Sequence, residues 1–121
     1  MIPGTFGNDC ELFFEIELIA SDGLELSVNA LLDTGFSGWL AMDKQDVEEL
    51  GWAYLYQQVM RMAQGKDTIF EIYAGKVKIG EEEVDIPVHI GTGVPEFLIG
   101  RQWLKNMRLL ADMPLGILTL G

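Results

Sequence analysis

Ala30-Leu31-Leu32-Asp33-Thr34-Gly35 is an apolar run that ends on an acid and then turns. Burying a carboxylate costs roughly several kcal/mol unless hydrogen bonds or a changed protonation state relieve it. A buried strand should not end on one without a reason. Taken alone, the triplet also fits a plain turn, with Asp33 starting it and Gly35 taking positive φ. The flanking sequence has to choose between these readings.

On the N-terminal side, Leu12, Phe14, Ile16 and Leu18 alternate with Glu11, Phe13, Glu15 and Glu17, the period of a strand with one buried face. Ser21-Asp22-Gly23 supplies a turn, after which Leu24, Leu26, Val28 and Ala30 alternate with Glu25, Ser27 and Asn29. The two runs are expected to form a hairpin whose second strand leads into Asp33. On the C-terminal side, Asp43 can cap a helix of one or two turns that buries Val47 and Leu50 and stops at Gly51. Val59 to Met62 and Thr68 to Ile79 read as strands joined by the polar tip Ala63-Gln64-Gly65-Lys66-Asp67. Gly80-Glu81-Glu82 then turns into a strand with Val84, Ile86, Val88 and Ile90 inward. After the loop Gly91-Thr92-Gly93-Val94-Pro95 come a buried strand, Phe97-Leu98-Ile99, a helix over Arg101 to Met107 and a last strand over Leu115 to Leu120. Many short strands with one or two short helices, and no strand-helix alternation, point to a mostly β, barrel-like fold.

The length of 121 residues fits one compact domain over residues 1–121, and 49% hydrophobic against 22% charged residues is enough to fold it. Eight Lys and Arg against 19 Asp and Glu give a net charge of -11, the wrong sign for binding phosphates, so neither nucleic acid nor an anionic membrane is expected as a partner. A single cysteine, Cys10, allows no intrachain disulfide. No signal peptide and no apolar run of about 18 residues is read, so the expected location is cytoplasmic.

The same counting removes most chemistries. With one histidine and one cysteine there is neither a pair of histidines on a helix nor a pair of cysteines for zinc, so no metal and no cofactor is expected. His89 lies opposite Val88 and Ile90 and reads as a surface histidine, while Cys10 reads as a small apolar filler. Trp39, Trp52 and Trp103 read as core or edge packing. Asp33 remains.

Three elements in order, Leu31-Leu32-Asp33-Thr34-Gly35, the hairpin around Gly65, and Leu98-Ile99-Gly100 leading into Arg101-Gln102-Trp103-Leu104, resemble the retropepsin-like aspartic proteases over most of the chain. The resemblance implies the acid protease fold, a closed β-barrel. It also implies an aspartic endopeptidase that works as a homodimer on a peptide or protein substrate. In it Asp33 activates water, the Thr34 hydroxyl locks the two active-site loops across the dimer, and Gly35 lets backbone approach. Phe36 and Ser37 would shape the substrate site, and Ala63, Gln64 and Gly65 would form the tip of a flap over it. Two residues depart from the pattern. Phe36 stands where relatives often carry Ala or Ser, and Ser37 where viral relatives carry an acid that pairs with the arginine matching Arg101. Arg101 is therefore expected to find another acid or to face solvent. The terminal run Gly116-Ile117-Leu118-Thr119-Leu120 is a candidate unpaired interface strand. The alternatives are a catalytically silent dimeric module of the same fold that binds peptide or scaffolds, and an unrelated small β-barrel binding protein.

Overall fold

A computed structural model describes residues 1–61 and 65–121. Ten strands follow the chain in order. They are β1 (Ile2–Phe6), β2 (Leu12–Ile19), β3 (Glu25–Leu32), β4 (Leu40–Asp43), β5 (Ala53–Arg61), β6 (Asp67–Ile79), β7 (Glu82–Gly91), β8 (Phe97–Ile99), β9 (Leu109–Asp112) and β10 (Ile117–Leu120). One α-helical turn, α1 (Lys44–Val47), runs into a 3-10 turn over Glu48–Leu50, and a second 3-10 turn covers Arg101–Lys105. The fold is mostly β, as the alternation indicates.

Six of the strands close on themselves in the order β2, β3, β8, β4, β7, β6, the seam being Glu17 against Lys78 and Leu18 against Val77. Antiparallel pairing dominates, and two parallel ladders frame the mouth of the barrel: β3 beside β8, with Leu32 opposite Ile99, and β4 beside β7, with Ala41 opposite His89. Closure removes the free edges of the ring. Phe14, Ile16, Leu18, Ala30, Leu32, Leu40, Met42, Val77, Val88, Ile90 and Ile99 fill it. Each fully buried aliphatic or aromatic side chain contributes about 1.5–3 kcal/mol through removal from water.

The local signals behave as read at the first hairpin and the helix. Gly23 adopts φ 92 between β2 and β3, and the Asp43 carboxylate accepts the Gln45 N–H to cap α1. Val47 and Leu50 are buried, and Gly51 ends the segment at φ 69. Other expectations need correction. Leu24 and Leu26 are exposed, because β8 pairs with β3 only from Ala30 to Leu32 and leaves the start of the strand with β2 alone beside it. The second helix is a 3-10 turn ending at Lys105, and β5 begins at Ala53, well before Val59. Strands β1 and β9 have no counterpart in the sequence pattern. The terminal strand β10 is no free edge, since it pairs with β1 on one side and β9 on the other; the outer strand there is β9. Cys10 is exposed in a turn at φ 65 and fills no core.

Beyond the ring, β5 and the first half of β6 form an arm in which β5 is exposed at all positions but one. Gly65, at the arm's end, has φ 78 and open space around it. Ala63 and Gln64 lie outside the described residues. Among the described residues no helix is long and apolar enough to cross a membrane.

Candidate active site

Where β3 leaves the barrel, Leu32 is still buried but Asp33, Thr34 and Gly35 are exposed. The carboxylate expected inside the fold stands at its surface, which avoids the desolvation cost altogether. Its place is fixed by backbone. The Asp33 N–H donates to the Ile99 carbonyl at 2.9 Å, extending the β3–β8 ladder by one bond, and the Phe36 N–H donates back to the Asp33 carbonyl at 3.1 Å. The Gly35 N–H donates to Asp33 Oδ1 at 2.8 Å, so one carboxylate oxygen is held and the other is left open. Gly35 does this without positive φ, unlike the plain turn considered from sequence.

A second loop locks the first. The Gly100 N–H donates to the Trp39 carbonyl at 3.0 Å and the Arg101 N–H to the Phe36 carbonyl at 3.0 Å. The Gln102 side-chain amide reaches the Ser37 carbonyl at 3.0 Å. Gly100 is required by space, since a methyl there would collide with the Gly38 carbonyl oxygen and lie 2.8 Å from both Phe36 Cδ2 and the Phe36 carbonyl oxygen. Arg101 faces solvent, one of the two outcomes expected, and its Nη1 also donates to the Thr34 carbonyl at 3.2 Å, gripping the loop by its main chain. Behind the loops Trp103 is buried, crosses Trp39 edge-on at 4.9 Å and donates its indole N–H to the Trp39 carbonyl at 2.9 Å. The Trp52 indole donates to the Ile19 carbonyl at 2.8 Å, so the tryptophans are packing residues.

The carboxylate opens into a cleft of about 650 Å³, within the range of ligand sites. Asp33, Gly35, Phe36 and Ser37 line it together, as the sequence grouped them; Thr34 and Gly65 do not. Sequence reading missed its other walls. Met60, Arg61, Thr68 and Phe70 come from the β5–β6 arm, Val94 and Pro95 from the loop after β7, and Leu98 from β8. The only signal for them was position, on a long hairpin and on a Gly- and Pro-containing loop. A separate hollow of about 500 Å³, bordered by Trp52, Leu55, Ala74 and Pro87, includes none of residues 33–37. Its one acid, Asp85, faces Lys76 at 4.0 Å.

Asp43 has a second task besides capping. Its Oδ1 also accepts the Gly93 N–H at 2.7 Å and the Val94 N–H at 3.1 Å, which ties the cleft's loop to α1. These backbone donors, the Gln45 N–H first, hold the Asp43 carboxyl below its ordinary value of 3.8. Three charged residues line the cleft, Asp33, Arg61 and Arg101, and Arg61 is paired with Asp67 at 3.6 Å. Among the described residues no three His, Cys, Asp or Glu side chains come together as a metal-binding group.

His89 is not at the surface. It is 6% exposed, because the face of β7 opposite the barrel core is roofed by Phe36 and Phe70, and burial pushes its pKa below 6.5.

The family model described as "gag-polyprotein putative aspartyl protease" matches residues 23–106, a span that includes both Asp33-Thr34-Gly35 and Gly100. Among solved structures, the chain is similar to the crystal structure of a retropepsin-like aspartic protease from Rickettsia conorii, at 20% identity and a TM-score of 0.63, covering 97% of this chain and 86% of that one. At that identity the likeness is one of fold. No curated protein matches the chain.

Proposed function

Because the chain belongs to the gag-polyprotein aspartyl protease family and has a retropepsin-like fold, we propose that it is an aspartic endopeptidase. In this reading it acts as a homodimer, with Asp33 of each subunit in one site. The observation that carries this is the Asp33 carboxylate itself, oriented by the Gly35 N–H, exposed, and open to a cleft of about 650 Å³.

One chain offers half of what the chemistry needs. No other aspartate in the sequence is followed by Thr-Gly or Ser-Gly, so the second carboxyl comes from a second copy related by a two-fold axis. Two carboxyls a few Å apart cannot both ionise cheaply: at 4 Å and an effective dielectric near 20 the repulsion is about 4 kcal/mol. One therefore stays ionised and serves as general base, and the other stays protonated and serves as acid. The base takes a proton from water as its oxygen bonds to the peptide carbonyl carbon, while the acid protonates the carbonyl oxygen. Collapse of the resulting diol breaks the C–N bond: one of its hydroxyls returns a proton to the carboxylate that acted as acid as the C=O re-forms, and the proton held by the base passes to the leaving nitrogen.

Thr34 fits the role of locking the two loops across the dimer, since it is exposed at the mouth and not in the cleft. Gly35 leaves room for substrate, Phe36 and Ser37 shape its side-chain pockets, and Ala63, Gln64 and Gly65 form the tip of a flap carried by the β5–β6 arm. The dimer contact is proposed at the outer strand β9 and its hairpin, where Leu110, Met113, Leu115 and Ile117 are exposed together. The whole of 1–121 acts as one domain, without a cofactor, in the cytoplasm. The test is turnover of a peptide library by wild type and Asp33→Asn, a change that keeps shape and hydrogen bonding but removes the titrating group. The proposal expects folded, inactive Asp33→Asn; no turnover by wild type would favour the silent peptide-binding module.

A further inference from the structure

His89 is the chain's single histidine, and the cleavage chemistry gives it no task. Val88 and Ile90 point into the barrel, so His89 stands on the opposite face of β7, the face its register shares with Ala41 of β4 and Ile72 of β6. Two rings close over it. Phe36 lies edge-on at 5.2 Å and 89°, and Phe70 at 5.7 Å and 73°. Gly38 makes the approach possible: a methyl on it would lie 2.6 Å from Phe36 Cζ and 2.8 Å from His89 Cε1. His89 Nδ1 is buried with no hydrogen-bond partner among the described residues. An apolar side chain would fill this space without that cost, so the imidazole calls for a reason.

Its neighbours supply one. Phe36 comes from the loop that carries Asp33, Phe70 comes from the β5–β6 arm, and both line the cleft. The imidazole is the piece behind the cleft that touches both.

We propose that His89 is a positioning residue for the cleft: its neutral imidazole fastens Phe36 to Phe70, fixing the wall beside Asp33, and its protonation releases both rings. This rests on the reading of the cleft as the peptide site. Charged groups on the elements around the stack are engaged elsewhere. Asp43 of β4 accepts from Gln45, Gly93 and Val94, and Glu71 of β6 is paired with Lys44 and the Tyr73 hydroxyl. Lys76 of β6 faces Asp85 of β7, Arg101 grips the Thr34 carbonyl, and Asp33 holds the Gly35 N–H. None of them forms an ion pair or hydrogen bond with His89 among the described residues, so an imidazolium there would have no direct ion-pair partner. The neutral ring is accordingly favoured by burial, and acid works against it. As pH falls through the depressed value, the new charge draws water in and the two rings part, which loosens the loop and the arm together.

With one histidine, the test is a direct nuclear magnetic resonance titration of the folded wild-type protein from pH 8 to pH 4. The His89 ring should titrate below 6.5, and the Phe36 and Phe70 ring signals and the Gly38 amide should move with the same midpoint. His89→Phe, a ring without a titrating group, should lose that transition. In turnover, His89→Ala should raise KM about tenfold while changing kcat less, and His89→Phe should recover most of that loss. Phe36 and Phe70 signals that stay still while His89 titrates would overturn the proposal, as would the same transition persisting in His89→Phe. The titration needs no peptidase activity, so failure of the protease reading would leave it decisive for the stack.

Discussion

Gly100→Ala should be among the most damaging single-methyl changes in this chain, and the structure says why. Gly100 has φ -100 and ψ -178, extended backbone that alanine adopts freely, so the cost is purely one of space. The added methyl meets the Gly38 carbonyl oxygen and lies 2.8 Å from Phe36 Cδ2 and from the Phe36 carbonyl oxygen. These are backbone and packed ring atoms with nowhere to go. Overpacking of this kind costs about 1–3 kcal/mol. Relief requires the two loops to separate, straining the bonds from Gly100 to Trp39, from Arg101 to Phe36 and from Asp33 to Ile99, at 3.0, 3.0 and 2.9 Å. At about 1 kcal/mol for each of the three bonds weakened, the total reaches about 4–6 kcal/mol, a large part of the roughly 5–15 kcal/mol that holds a domain. For a chain of this length that corresponds to a fall in Tm of about 16–24 °C. The assay is urea and thermal unfolding at fixed protein concentration. Gly93→Ala is the comparison, since it has φ 76 and open space and pays only the left-handed backbone cost of roughly 1–2 kcal/mol. If Gly100→Ala proved no worse than Gly93→Ala, the interlocking of the two loops would be wrong.

Gly65→Val places a branched residue at φ 78 on the arm; it should lower kcat/KM several-fold while moving Tm little, and equal losses in both would count against a flap. Asp43 is held below 3.8 by three backbone donors, so its stabilisation is present above that ordinary value and lost as pH falls through the depressed one. Melting scans below about pH 4 should therefore show an acid loss in wild type that is reduced in Asp43→Asn. Leu110→Lys and Leu115→Lys, at positions 52% and 71% exposed, should leave the single chain folded and weaken the dimer by about 10–100-fold, the worth of one buried leucine. Sedimentation would read this, and added salt should tighten wild-type dimers by screening -11 on each chain.

How much was legible in the sequence depends on which contacts are local. The β2–β3 hairpin, the Asp43 cap and the stop at Gly51 depend on neighbours within a few residues, and each stands where the pattern put it. The first half of β5 was illegible because both its faces are exposed, so Ala53-Tyr54-Leu55-Tyr56 has no reason to alternate. In β1, Pro3 and Gly4 look like turn residues. Gly4 is in fact what lets the strand lie against Leu118 and Phe14, atoms that a methyl would approach to within 2.6 and 2.7 Å. His89 was misplaced for a related reason. Alternation shows which residues face away from a core, but the roof over that second face comes from Phe36, more than fifty residues earlier in the chain. For the site, Asp33, Gly35, Phe36 and Ser37 were legible as one group because they are contiguous. The arm and loop residues that complete the cleft were not, since only the folded barrel brings them within reach.

The central claim is that two copies of Asp33, one from each chain, form one catalytic site, and mixing subunits tests it most directly. Wild-type protein is held at a concentration where it is dimeric, an equal amount of Asp33→Asn is added, and the chains are allowed to exchange before peptide turnover is measured. If each mixed dimer is inactive, random pairing leaves about half of the original number of wild-type dimers, and the rate should fall to about half. A rate unchanged by the added variant, under conditions where mass measurement shows the chains have mixed, would contradict the account.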